Sequence, residues 1–200
     1  MSIKLDDYFD RETFSRIKER AEQLETPFLV VDLKTIDRAY DELVSGFPFG
    51  KVYYAVKANP SNEVLELLKN KGCNSDIASI YELEKVMALG VKPEQISFGN
   101  TIKKARHIRA FYEKGVRLYA TDSEADLRNI AKAAPGSKIY VRILTEGSTT
   151  ADWPLSRKFG CQTDMAMDLL VLAKELGLEP YGISFHVGSQ QRDIGAWDAA

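Results

Sequence analysis

The 200-residue chain is poor in cysteine and histidine, with two of each, and it has no long apolar stretch. Cys73 and Cys161 are too few for a disulfide framework and lack metal-ligand spacing, which suits a reducing compartment and argues against a metal site. No uninterrupted apolar run exceeds five residues, the length of Leu169 to Ala173, against roughly 18 or more for a membrane span. Ser2 to Arg20 is dense in charge and has no apolar h-region, so it does not read as a secretory signal, and cytoplasmic residence is expected. An excess of one charge sign is also missing, since 27 Lys and Arg face 29 Asp and Glu; that argues against a nucleic-acid partner. The chain contains no G-x-G-x-x-G after a strand, no Walker lysine motif, no G-x-S-x-G elbow, and no H-E-x-x-H or C-x-x-C spacing. What it does contain is 44% apolar residues with 10% aromatics, enough for a substantial core and for one globular unit.

Hydrophobic periodicity organises the rest. Phe14, Ile17, Ala21 and Leu24 recur at helical intervals among charges, which predicts an amphipathic helix in a segment, residues 1–26, that Pro27 ends. Phe28 to Asp32 is a short β-branched and aromatic run with strand character, and Leu33, Ile36, Tyr40, Leu43 and Val44 then mark a helix closed by Gly46. Five short apolar runs follow, ending near Val56, Ile77, Phe98, Ala120 and Ile143 at intervals of 21 to 23 residues, and a sixth ends near His186. Each precedes a helical pattern. Pro60 suits a first helical position, Ser79 with Glu82 reads as a capping box, and Ser123 with Asp126 resembles one. Gly72, Gly90, Gly115 and Gly177 read as C-terminal caps.

One strand, one helix and two short loops fill such an interval, so residues 27–200 read as a βα repeat. Parallel strands with helical crossovers make either a doubly wound sheet or a closed barrel, and the regular spacing favours the barrel. A (βα)8 barrel needs about 250 residues and eight strands. Six units are present, so a C-terminal portion is expected beyond Ala200, without which the sixth strand has an open edge. Between the fifth and sixth runs Thr145 to Gln162 forms an excursion with Trp153, Pro154, Arg157 and Lys158. It reads as a binding loop beside the site.

In this architecture working residues stand at the carboxyl ends of strands. Lys57 follows the first run, Asp76 closes the second, Asn100 and Thr101 follow the third, and Asp122 and Ser123 the fourth. Arg142 lies in the fifth, and His186, Gly188 and Ser189 end the sixth. Lys57 has apolar neighbours that would desolvate it, lowering its pKa and freeing an amine for Schiff-base chemistry; a solvated lysine before a turn is the plainer reading. His186 suits an acid or base, a ring stacked on a flat cofactor, or a core histidine bonded to backbone. Gly188 and Ser189 suit either phosphate approach or a simple turn. Arg142 reads as an anion partner or half of an ion pair, with Asp76 as its counter-charge or that of Lys57. Glu82 reads equally as a cap and as a site residue. His107 stands among Lys103, Lys104, Arg106 and Arg109, which reads as a solvated basic helix face.

These pieces together resemble the alanine-racemase-like fold type of pyridoxal phosphate enzymes, and within it the ornithine, lysine and diaminopimelate decarboxylase family. The resemblance rests on Tyr53-Tyr54-Ala55-Val56-Lys57-Ala58-Asn59-Pro60, Asp76-Ile77-Ala78-Ser79, Phe98-Gly99-Asn100-Thr101-Ile102-Lys103-Lys104, Lys158-Phe159-Gly160 and Phe185-His186-Val187-Gly188-Ser189-Gln190. It implies a TIM-type (βα)8 barrel followed by a C-terminal β-domain. It further implies pyridoxal 5'-phosphate held covalently by Lys57, His186 stacked on its ring, Ser189 with Gly188 at its phosphate, and Asp76 and Arg142 close by. Lys158 falls at a position that the family links to the subunit interface.

The resemblance implies decarboxylation of a small amino acid by a head-to-tail homodimer whose second subunit completes each site, so that this segment alone is expected to be inactive. The segments Phe98 to Lys104, Trp153 to Gly160 and His186 to Asp193 are most similar to bacterial-type ornithine/lysine decarboxylases. They imply ornithine to putrescine first and lysine to cadaverine second. Diaminopimelate ranks lower, because Ser79-Ile80-Tyr81-Glu82 replaces a glycine-containing segment. A non-catalytic, antizyme-inhibitor-like regulator is the alternative of a different class.

Overall fold

A computed structural model describes residues 9–145, 151–153 and 158–198. In chain order the elements are α1 (Arg11–Ala21), α2 (Leu33–Gly46), β1 (Tyr53–Ala55), α3 (Asn62–Asn70), β2 (Asn74–Ile77), α4 (Ile80–Ala88), β3 (Ile96–Phe98) and α5 (Ala105–Glu113). There follow β4 (Leu118–Thr121), α6 (Glu124–Ala133), β5 (Lys138–Arg142), β6 (Ala151–Trp153), α7 (Thr163–Glu175), β7 (Glu179–Ser184) and β8 (Ser189–Gln191). Six strands form one parallel sheet in the order β1-β2-β3-β4-β5-β7. A doubly wound sheet reverses its strand order at a switch point. Here the order never reverses, which is the winding of a barrel wall.

The helices start where short polar side chains cap them. Asp10 accepts from Thr13 N at 2.7 Å to open α1, and Ser79 and Ser123 accept from the backbone of Glu82 and Asp126. Two details differ from the sequence reading. Pro60 precedes the Ser61 cap of α3 rather than entering the helix, because the Ser61 oxygen meets the Val64 N–H first. The Glu82 carboxylate reaches past Ser79 to the Ala78 N–H at 2.6 Å, so the reciprocal half of the box is displaced by one residue.

The core lies between the sheet and α4 to α7. Phe98 stacks on Phe111 with ring centroids 3.8 Å apart, and Leu83, Val86, Ile108, Leu127, Ile130, Ile139 and Leu169 pack with them. Each such side chain contributes about 1.5–3 kcal/mol of burial, offset by the entropy of ordering the chain. Because the apolar side chains of α4 to α7 fill the space behind the sheet, the strand ends carry their polar groups away from it.

Phe28 to Asp32, expected to be strand-like, pairs with nothing among the described residues, and Leu29 is 86% exposed. A β-branched run becomes a strand only where a neighbour offers a hydrogen-bonding edge. β7 is an edge of the sheet, as the strand count implies, with Tyr181 and Ile183 exposed on it and Phe185 exposed just past its end. No helix of the described residues is long and apolar enough to cross a membrane.

Candidate functional site

The strand ends bring the candidate residues into two adjoining cavities. The first, of about 230 Å³, is lined by Lys57, Asp76, Glu82, Asn100, Arg142 and Phe159 among others. The second, of about 360 Å³, shares Asp76, Gly99 and Arg142 with it and adds Ser97, Tyr140 and His186. A larger cavity of about 640 Å³ between α1 and residues 28–34 contains none of these groups. Gly188 and Ser189 line neither cavity; Ser189 opens β8, which pairs antiparallel with β6 opposite Trp153.

Lys57 sits on the single 3-10 turn Val56–Ala58 that follows β1. It is exposed, the plainer of its two sequence readings, because β1 is the other edge of the sheet and no described strand walls it from that side. Among the described residues its amine makes no hydrogen bond or ion pair, but its charge reaches both Asp76 and His186.

Asp76 is the most perturbed acid of the site. Burial pushes its carboxyl up to about 6, with Glu82 adding to the rise; the Ser97 hydroxyl, Lys57 and Arg142 oppose it. Gly99 is required beside it, since a Cβ there would stand 2.1 Å from the Asp76 carboxylate. A carboxyl whose folded pKa lies above its unfolded value is stabilising below the unfolded value, and that contribution disappears as pH rises through the folded one. Asp76→Asn is therefore expected to be roughly 1–3 kcal/mol more stable than the parent at pH 8 and about equal to it at pH 4. Urea unfolding at the two pH values measures this, and a gain equal at both contradicts the assignment.

Arg142 forms no ion pair within 4.0 Å among the described residues, so the ion-pair reading gives way to an available cation. Its guanidinium lies 5.4 Å from the Phe159 ring centroid and feels Asp122 and Asp76 at longer range. Burial lowers its pKa. His186 accepts a hydrogen bond from Gly188 N at 2.8 Å through Nδ1, so its neutral ring carries the proton on Nε2. Burial, then Arg142 and Lys57, push its pKa down and favour this neutral form.

The excursion returns beside the site, as expected. Asp122 accepts the Gly160 N–H at 2.8 Å, and Cys161 exchanges backbone bonds with Arg142 and Leu144. Gly160 has φ of 101°, and a Cβ there would stand 2.8 Å from the backbone of Ile143. Only glycine brings Phe159 to the cavity wall by this path. Pro154 and Arg157 lie outside the described residues. Lys158 stands over the Phe159 ring at 5.6 Å.

Sequence reasoning missed three features. Lys103 is not part of a solvated basic face: its side chain is 0% exposed and bonds Asp126 Oδ2 at 2.6 Å, because it precedes α5 and turns beneath the β3–α5 loop. Ser97 and Tyr140 went unmarked because they lie inside apolar runs. Period-two alternation, which points every other residue into a barrel, was the available signal.

A free amine, an acid that titrates near neutrality, a neutral imidazole and an unpaired guanidinium converge at the carboxyl ends of parallel strands. They suit covalent chemistry on a small anionic carbonyl compound, the class of Schiff-base-forming barrel proteins. The family model described as pyridoxal-dependent decarboxylase, pyridoxal binding domain, matches residues 33–200, and the chain belongs to that family. It is 38% identical over 184 residues to a lysine/ornithine decarboxylase of Selenomonas ruminantium, covering 92% of this chain and 47% of that protein. It is 39% identical over 170 residues to the ornithine decarboxylase of Saccharomyces cerevisiae, covering 85% of this chain and 36% of that one.

The crystal structure of lysine decarboxylase from Selenomonas ruminantium superposes with a TM-score of 0.84 at 36% identity, covering 92% of this chain and 48% of that one. The arginine decarboxylase of Paramecium bursaria Chlorella virus superposes with a TM-score of 0.85 at 32% identity, covering 94% and 51%. The chain thus spans about half the length of these relatives or less. The residues present fit pyridoxal phosphate: Lys57 for the aldehyde, Arg142 for negative charge, and a neutral His186 for the ring. Thr101 Oγ1, buried in the same wall, is a polar atom without a partner among the described residues.

Proposed function

We propose that the protein is a pyridoxal phosphate-dependent amino-acid decarboxylase that converts L-ornithine to putrescine and CO2. The observation that carries this reading is the free Lys57 amine beside a carboxyl that changes protonation near neutral pH. Lys57 would hold the cofactor through its aldehyde, His186 would cover the ring, and Gly188 and Ser189 would meet the phosphate. Bound there, the cofactor supplies the electron sink for the pair left when the carboxylate departs.

The chain's own groups do the rest. Asp76 can take the proton that Lys57 Nζ must lose before its lone pair attacks a carbonyl carbon. Arg142, half-buried and unpaired, offers positive potential to an anionic group. His186, held through Nδ1, presents a ring of fixed tautomer that adds no charge to the two cations nearby. The protein acts in the cytoplasm as a head-to-tail homodimer, with Lys158 near the subunit boundary.

Ornithine is preferred because four ornithine decarboxylases from fungi stand among the relatives at 37–39% identity, while the Selenomonas relative is named for both lysine and ornithine. Antizyme inhibitor 2 of Xenopus laevis, 35% identical over 173 residues, supports a second reading, a regulator that keeps the fold without the chemistry. Retention of Lys57, His186 and Ser189 speaks against it. The test is CO2 release by the holoenzyme from L-ornithine and L-lysine at equal concentration. Putrescine formation with a several-fold higher kcat/KM for ornithine is expected; a preference for lysine overturns the substrate, and no release from either overturns the enzyme reading.

A further inference from the structure

We infer that Ser97 and Tyr140 are positioning residues for Asp76, forming a chain of hydroxyls across the barrel interior that orients its carboxylate at the mouth of the site. This takes Asp76 as part of the site, as in the reading above.

The geometry is built by three adjacent or near-adjacent strands. Ser97 on β3 is the register partner of Asp76 on β2. Its Oγ lies 2.8 Å from Tyr140 Oη on β5, reaching across β4. All three residues line the same cavity, and Ser97 is 4% exposed. A largely buried hydroxyl pair is costly unless both groups are satisfied, and Ser97, which is buried, and the half-buried Tyr140 satisfy each other.

The direction of the chain follows from donor and acceptor strength. A serine hydroxyl has one proton and a phenol is the stronger donor, so Tyr140 donates to Ser97 Oγ and leaves the Ser97 proton for a second acceptor. The Asp76 carboxylate is the strongest acceptor nearby, and the Ser97 hydroxyl favours its charged form. The other groups that face Asp76 are Lys57 after β1, Glu82 on α4 and Arg142 on β5, with Tyr53 and His186 on the walls of the shared cavity. Lys57 and Arg142 also favour the carboxylate while Glu82 opposes it. Of the four groups acting directly on the carboxyl, Ser97 is the uncharged one, whose effect depends on where its proton points. Tyr140 sets that direction.

The test is the pH titration of the Asp76 carboxyl, followed as the infrared carbonyl band that Asp76→Asn removes, in the folded protein without pyridoxal phosphate. The titration is independent of catalysis, so a failure of the decarboxylase reading leaves it intact. Ser97→Ala is expected to raise the midpoint from about 6 by roughly one unit. Tyr140→Phe, which preserves ring volume, is expected to raise it by less. An unmoved midpoint in Ser97→Ala overturns the proposal. So does a lowered midpoint in Tyr140→Phe, which would mean that Ser97 donates to the phenol and that removing it frees the proton for Asp76. A purely structural role for the pair would move the unfolding midpoint and leave the carboxyl titration where it was.

Discussion

In the complete homodimeric holoenzyme of the proposed function, Lys57→Ala is expected to lower turnover by at least about three orders of magnitude, equivalent to roughly 4 kcal/mol of lost transition-state stabilisation. The visible absorbance of bound pyridoxal phosphate should disappear with it. The same substitution should shift the unfolding free energy by no more than about 0.5 kcal/mol. That dissociation of activity from stability follows from the geometry. The Lys57 side chain is exposed, bonds nothing among the described residues, and sits on a 3-10 turn that alanine tolerates. A lysine serving the fold would show the opposite pattern. Near-normal turnover in the variant would remove Lys57 from the chemistry.

Lys103→Met carries the largest expected effect on stability, a loss of roughly 3–5 kcal/mol. Three acceptors surround the Lys103 ammonium: Asn100 O at 2.9 Å, Ala120 O at 2.6 Å and Asp126 Oδ2 at 2.6 Å. All three of its protons are used. Thr121 Oγ1 donates to the same Asp126 oxygen at 2.8 Å, so removing the ammonium strands a buried carboxylate with one neutral donor. Burial pushes Lys103 down and Asp126 up, which shows that both charges are held at a desolvation cost. A loss of this size is a large part of the 5–15 kcal/mol that holds a typical domain together.

The partner substitution distinguishes a lost pair from a lost shape. Lys103→Met combined with Asp126→Leu removes the stranded charge and should recover part of the loss. Urea unfolding of the two single variants and the double variant measures the coupling. A double variant that loses the full sum of the single effects contradicts the account. Because Lys103 ties the Asn100 carbonyl, two residues past β3, to the Ala120 carbonyl of β4, the single variant also loosens the loop next to Gly99.

The residues that the sequence makes legible are those governed by local rules. Strand ends at Ile77 and Phe98 and caps at Ser79 and Ser123 follow from hydrophobic period and from side-chain competition for the first free N–H groups of a helix. The positions of Lys57, Asp76 and Arg142 at one mouth follow once the strands are known to be parallel and in order, because parallel strands all end on the same side. What stayed hidden depends on contacts distant in sequence. Lys103 resembles its exposed neighbours Lys104 and Arg106 until Asp126, 23 residues on, provides a buried partner. Ser97 and Tyr140 are 43 residues apart and look like ordinary strand positions. Phe28 to Asp32 has strand composition, and only the absence of a neighbouring edge among the described residues keeps it from being one. Two readings of Lys57, desolvated or solvated, stand open in the sequence for the same reason, since desolvation depends on walls that local sequence does not specify.

Borohydride reduction of the folded protein in the presence of pyridoxal phosphate, followed by peptide mass mapping, tests the central claim most directly. A single phosphopyridoxyl group on the peptide carrying Lys57 is the predicted result. Modification at another lysine, or no modification of a folded protein saturated with the cofactor, would contradict the assignment of Lys57 and with it the reading of this site.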